Sequence, residues 1–295
     1  MPTSPEFLVA ETLDDAIGAL ERYGDDAKVI AGATAVTIML QQGLIAPAAI
    51  VSIGRIDGLR GIERTDGEIA LGALTTHREV ELSATVRDAL PVLAETFSVV
   101  ANVRVRNAAT VGGVVAEADY ASDPPAMLRA LDAVVDVVGP EGERSIPIQD
   151  FLVGFYETAL DHGEIVTRVR VPLLPPGSGS VYEKFTTRSS EDRPCVGVAA
   201  VARLEADGVT CADLRVAVGA AAEVPQRFTE VEATVRGRPI DEETAGAIAD
   251  QYAEQIDPLS DMRGSDWYRR EMIRVWVRRA ILAAAEQARD GARPA

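Results

Sequence analysis

VIAGATAVTIML (residues 29–40) and NAATVGGVVAEADYASDPPAMLRALDA (residues 107–133) decide how this chain reads. Each puts small residues where an extended segment gives way to a helix, a junction at which backbone N–H groups are left free to meet an anion. Gly32 permits close backbone approach. Thr34 offers a hydroxyl to a ligand or a cap to the next helix, and Gly112 with Gly113 permits tight turn geometry. One such run alone is also what an ordinary strand-to-helix turn looks like. Two, from separate parts of the chain, suit a dinucleotide diphosphate held between two lobes.

Around the first run, EFLVA reads as a strand, residues 12–23 as an amphipathic helix capped by Thr12, and AKVIAG as a second strand. A helix over 34–42 ending at Gly43 and the apolar strand AIVSIGRI complete a first lobe, residues 1–56. A second lobe, residues 57–174, starts with strand EIALGAL and a helix in THREVELSA that Thr76 caps. PVLAETFSVVANVRVRN reads as one helix before the TVGG turn, and SDPPAMLRALDA as a helix capped by Ser122 or Asp123. AVVDVVG, RSIPI and EIVTRVRVP read as strands. LLPPGSGS (173–180) reads as a linker, since Pro and Gly break both helix and strand. The third unit, residues 175–295, reads as a three-stranded antiparallel meander with a hairpin at ADG, then helices over 229–236, 241–255 and 266–289. The fold class is α+β throughout.

The composition narrows the function. The chain has 295 residues and a formal charge of −17, with 46 acidic against 29 basic residues. Such an acid excess argues against nucleic-acid binding, which needs basic patches. Only Lys28 and Lys184 are lysines. Acidic, lysine-poor surfaces stay soluble where salt screens repulsion, so a halophilic cytoplasm is the expected setting. Cys195 and Cys211 are too few for an iron–sulfur cluster or zinc site and read as two buried thiols. No apolar run is long enough for a transmembrane segment. GxGxxG, Walker, triad and metal-ligand patterns are absent, and His77 reads as an exposed first-turn residue without a chemical role.

The wording of the two runs resembles the FAD-binding medium subunit of the molybdenum hydroxylases, the family of aerobic carbon monoxide dehydrogenase and xanthine dehydrogenase. AGATA is similar to that family's AGGTD or AGGHS run, and TVGG with ADYASDPP to its TIGG run and the segment after it. GALTTH, YEKFTTRSSEDRPCVGVAAVARL and DPLSDMRGSDWYRR extend the likeness over nearly the whole chain. Ala33 departs from the usual second glycine, a mild change only with negative φ. Val114 stands where many relatives have Asn or Ser.

The resemblance implies a two-lobed FAD-binding domain of the vanillyl-alcohol oxidase (PCMH) type, followed by the family's C-terminal domain. It implies FAD on this chain, with Ile30, Ala31, Gly32, Ala33, Thr34, Ala35, Val36, Thr110, Gly112, Gly113, Ser122, Asp123, Val166 and Lys184 around it. Asp123 is either a ribose acceptor or a plain cap. Lys184 meets the flavin phosphate or the isoalloxazine edge, or else is a solvated strand lysine; Asp119 is a loop residue outside direct contact. Molybdopterin is expected on a large partner subunit and [2Fe–2S] clusters on a small one, with FAD passing electrons to an external acceptor. The substrate, whether carbon monoxide, an aldehyde, a purine or an aromatic thioester, would be set by another polypeptide. A stand-alone flavin oxidoreductase and a degenerate subunit that has lost FAD are the competing readings. The Arg- and aromatic-rich stretch around Trp267 and Trp276 is assigned no catalytic role.

Overall fold

The computed structural model describes residues 4–291. In the first lobe β1 (Glu6–Val9), α1 (Leu13–Tyr23), a one-turn 3-10 helix (Gly24–Asp26), β2 (Ala27–Ile30), α2 (Val36–Gln41) and β3 (Ala49–Ser52) build a parallel sheet of order β1-β3-β2. Thr12 starts α1 with a capping box. Its hydroxyl accepts from the Asp15 amide, and the Asp15 carboxylate accepts from the Thr12 amide. Ala16 and Leu20 bury that helix against Val51 and Ile53.

The second lobe contains β4 (Ile62–Arg64), β5 (Glu68–Gly72), α3 (His77–Leu82), α4 (Ala84–Ala89), α5 (Pro91–Ser98), α6 (Val103–Arg106), α7 (Val111–Glu117) and α8 (Asp123–Ala130). It continues with β6 (Val134–Gly139), β7 (Gly142–Pro147), α9 (Ile148–Phe151), the small hairpin of β8 (Leu152–Gly154) and β9 (Glu157–Thr158), and β10 (Ile165–Pro172). The sheet is antiparallel, order β4-β5-β10-β6-β7. Thr76 caps α3 with a second capping box.

Two readings need correction here. Residues 91–107 are not one helix: α5 stops at Ser98, Ala101 takes φ +44°, and the Asn102 side chain caps α6 by accepting from the Arg104 and Val105 amides. The Asn102 side chain offers the backbone a local alternative to continuing the helix. The TVGG segment, read as a turn, is itself the start of a helix, with Thr110 as its cap.

The third unit is β11 (Ser178–Phe185), β12 (Val196–Leu204) and β13 (Cys211–Gly219), an antiparallel sheet in sequence order, followed by α10 (Thr229–Ala233), α11 (Glu242–Gln255) and α12 (Asp266–Gly291). β12 is buried on both faces. Val196, Val198, Ala200 and Ala202 pack with α11 and α12. The alternate residues Ala199 and Val201 enter the second lobe's core beside Met127 and Leu128 of α8. That shared core fixes β11 against the start of α8. Among the described residues no helix is long and apolar enough to cross a membrane, and both cysteines are free and buried.

Candidate cofactor site

The two small-residue runs meet. A Cβ added to Gly32 would lie 1.8 Å from the Ala108 carbonyl oxygen and 2.5 Å from its carbon. Only a residue without a side chain lets the first-lobe loop rest on the second lobe's backbone there. Among the described residues, none of the backbone N–H groups of Gly32, Ala33, Thr34 and Ala35 meets a protein acceptor. Four unclaimed donors in one partly buried loop are what a diphosphate requires.

Ala33 has φ +56°, so the departure from glycine is not mild: the residue sits in the left-handed region at a cost of about 1–2 kcal/mol. Ala33→Gly is therefore expected to raise stability by about 1 kcal/mol in urea denaturation while keeping the loop's conformation. Thr34 does not cap α2. Ala35 occupies that position and no side chain bonds there, which leaves the Thr34 hydroxyl available. Ile30, Ala31 and Val36 are half-buried at the two ends of the loop.

The second run supplies space more than donors. The amides of Val111 and Gly112 donate to the Thr75 and Ala73 carbonyls, and that of Gly113 to the Thr110 hydroxyl. Gly112 faces inward, where a Cβ would lie 2.6 Å from the Ala73 Cβ. Gly113 is exposed, with only the Thr110 side chain within 4 Å of a Cβ there. Thr110 is buried, as is Val166 on β10. Asn107, the first residue of this run, joins Arg60, Thr76 and Arg78 in the wall of an open groove of about 490 Å³.

Asp123 and Lys184 meet each other. The Lys184 ammonium donates to Asp123 Oδ2 at 2.9 Å and to the Val99 carbonyl at 2.8 Å, and the Tyr182 hydroxyl donates to Asp123 Oδ1 at 2.9 Å. The Lys184 and Asp123 side chains are 8% and 4% exposed, so the solvated-strand reading of Lys184 fails. The break after α5 explains the contact with Val99, which lies at a helix end whose carbonyl has no intrahelical partner. Burial raises the Asp123 pKa, opposed by the Lys184 ammonium and the Tyr182 hydroxyl. Ser122 holds the cap position of α8, yet its side chain makes no capping bond.

Other groups escaped the sequence reading. His77 is 1% exposed, not exposed as expected; it packs edge-on to Phe97 at 4.9 Å, and burial pulls its pKa down to about 4. Asp119 is buried and pairs with Arg193 at 2.5 Å, a contact across 74 positions that local sequence could not reveal. Arg269 is fully buried, donating to the Cys195 and Leu259 carbonyls and to Asp261, which in turn accepts from the Tyr120 hydroxyl. The DMRGSDWYRR stretch thus ties the third unit to the second lobe.

Comparison with known proteins agrees with this arrangement. The family described as "FAD binding domain in molybdopterin dehydrogenase" matches residues 3–174, and "CO dehydrogenase flavoprotein C-terminal domain" matches 180–284. The chain is 34% identical to the 6-hydroxypseudooxynicotine dehydrogenase complex subunit alpha of Paenarthrobacter nicotinovorans, covering 98% of this chain and 97% of that one. It is 32% identical to the glyceraldehyde dehydrogenase medium chain of Sulfolobus acidocaldarius, covering 95% and 99%. Carbon monoxide dehydrogenase from Hydrogenophaga pseudoflava superposes with a TM-score of 0.93 at 32% identity, over 97% of this chain and 99% of that one. Fold and site define a flavoprotein subunit of an oxidoreductase. The chain belongs to the FAD-binding medium-subunit family of the molybdopterin dehydrogenases.

Proposed function

We propose that this chain holds one FAD between its first two lobes and passes electrons from the [2Fe–2S] clusters of a small partner subunit to an external acceptor. A large molybdopterin subunit would oxidise the substrate. The observation that carries this reading is the loop at residues 32–35, whose unclaimed amides sit where Gly32 rests on Ala108. That loop would hold the diphosphate, with the Thr34 hydroxyl beside it and the exposed face of Gly113 giving the cofactor room. The Ser122 hydroxyl is the group open to a ribose, while Asp123, committed to Lys184 and Tyr182, fixes the start of α8. Ile30, Ala31, Val36, Thr110, Gly112 and Val166 shape the surroundings. Bound FAD supplies the redox chemistry; the protein supplies position and electrostatics.

We divide the chain at 56 and 174 and assign the complex to the cytoplasm of a salt-adapted cell, on its acidic, lysine-poor composition. The named relatives belong to dehydrogenases of 6-hydroxypseudooxynicotine, glyceraldehyde and carbon monoxide. Such variety among similar chains supports placing substrate choice on another polypeptide. Purification from the native host is expected to yield two further polypeptides with this one, carrying molybdenum and iron–sulfur, and the isolated chain should not dehydrogenate substrate. Robust substrate turnover by the chain alone would favour the stand-alone oxidoreductase.

A further inference from the structure

Gly113 and Ala116 are exposed on α7 and Glu117 is half-buried. Their spacing of three and four places them on one face of the helix. Val111, Val114 and Val115 bury the other face in the second lobe's core. The stripe that begins at Gly113 therefore ends, about one turn later, in a carboxylate. No hydrogen bond or ion pair claims that carboxylate among the described residues.

Four groups face Glu117: Asp119 just beyond α7, Arg193 ahead of β12, Lys28 on β2 of the first lobe, and Tyr156 in the β8–β9 turn. Asp119 accepts from the Ala121 amide at 3.1 Å and from the Tyr156 hydroxyl at 3.4 Å, and Arg193 is already held to it. Arg193 is thus partly spent on Asp119 rather than free for Glu117. Burial and Asp119 push the Glu117 pKa up to about 7, against Arg193 and Lys28. An acid poised there changes protonation in neutral water when a single nearby charge changes.

We propose that Glu117 takes up a proton when a flavin lying along this stripe is reduced, offsetting charge that the cofactor gains; this rests on the FAD reading above. For each two electrons delivered from the partner's iron–sulfur clusters, the carboxylate accepts one proton from water and becomes the neutral acid. When the electrons leave to the external acceptor, the same proton returns to water. Glu117 is a positioning and charge-balancing group in this account; no bond to the cofactor is made or broken.

The test uses the full chain loaded with FAD, its reduction midpoint measured spectroelectrochemically from about pH 5 to pH 9. The parent is expected to show extra proton uptake per two electrons just above neutral pH, as a steeper segment in the plot of midpoint against pH. Glu117→Gln, similar in shape and without a titratable proton, should lack that segment. Asp119→Asn should move it to lower pH, because a repelling charge is lost and Arg193 is released toward Glu117. A second readout needs no cofactor: in the unloaded parent labelled with 13C-glutamate, a carboxyl resonance that is missing from Glu117→Gln should titrate near neutrality. Flavin bound with identical profiles in parent and Glu117→Gln overturns the proposal and leaves the FAD reading standing. So does an unloaded chain in which every glutamate titrates in the ordinary acidic range. Failure of the parent to bind flavin overturns both.

Discussion

Gly32→Ala is expected to lose most flavin binding and to lower stability by about 2–3 kcal/mol, the cost of forcing atoms into a packed contact. The new methyl would have to occupy the place of the Ala108 carbonyl oxygen, 1.8 Å away, and that atom is backbone. Relief requires the two lobes to part at the point where the loop of residues 32–35 rests on Ala108. Gly113→Phe makes the informative contrast. Its side chain projects from an exposed position, but its Cβ would lie 2.8 Å from the Thr110 hydroxyl that caps α7, so stability should fall by about 1 kcal/mol, the usual worth of a cap. Flavin affinity should nonetheless collapse, because the ring would fill the space left for the cofactor. Urea denaturation read together with FAD titration separates the two effects. A Gly32→Ala protein of unchanged stability and flavin affinity would contradict the described contact between the lobes.

Lys184→Met carries the other large effect. Removing the ammonium leaves Asp123 buried with only the Tyr182 hydroxyl, and breaking a buried pair in this way costs about 3–5 kcal/mol. The Val99 carbonyl also loses its donor. The dependence on pH has a definite sign. Asp123 already has a folded-state pKa raised above its ordinary value, and losing Lys184 raises it further. A raised carboxyl pKa stabilises the folded state when protonated, so the deficit of the variant is full at neutral pH and shrinks as pH falls through that pKa. Adding Asp123→Asn to Lys184→Met should restore more than half of the lost stability at neutral pH. Lys28→Ala, at an exposed position on β2, should change stability by no more than about 0.5 kcal/mol. Equal deficits for the Lys28 and Lys184 variants would show that the buried pair does not hold in solution.

The parts of this molecule that sequence made legible are those governed by local chemistry. Thr12 and Thr76 each precede an acidic residue by three positions, and both capping boxes form. VGVAAVARL reads as a strand of a three-stranded meander and forms β12 of that sheet. The sequence did not reveal that Ala199 and Val201 serve a second core, since a strand buried on both faces looks like any apolar run. Residues 91–107 misled because apolar spacing continues across Asn102, and the cap that interrupts it competes locally with the helix.

Site residues followed the same division. Gly32 was legible as a close-approach glycine, and the backbone it approaches is that of Ala108. Lys184 stood out by its rarity, but its pairing with Asp123 depends on the docking of β11 against α8, a contact 61 positions apart. Glu117 was invisible for a related reason. Its neighbours Lys28, Asp119, Tyr156 and Arg193 come from four segments that only the assembled fold brings together.

The most direct measurement is an equilibrium titration of the purified, flavin-stripped full chain with FAD, followed by flavin absorbance and fluorescence. The loop of unclaimed amides at residues 32–35 predicts saturation at one FAD per chain and a yellow protein after gel filtration. It also predicts that Gly113→Phe, folded as judged by its urea midpoint, stays colourless. A folded parent chain that retains no flavin at any concentration tested would contradict the account and favour a subunit that has lost the cofactor.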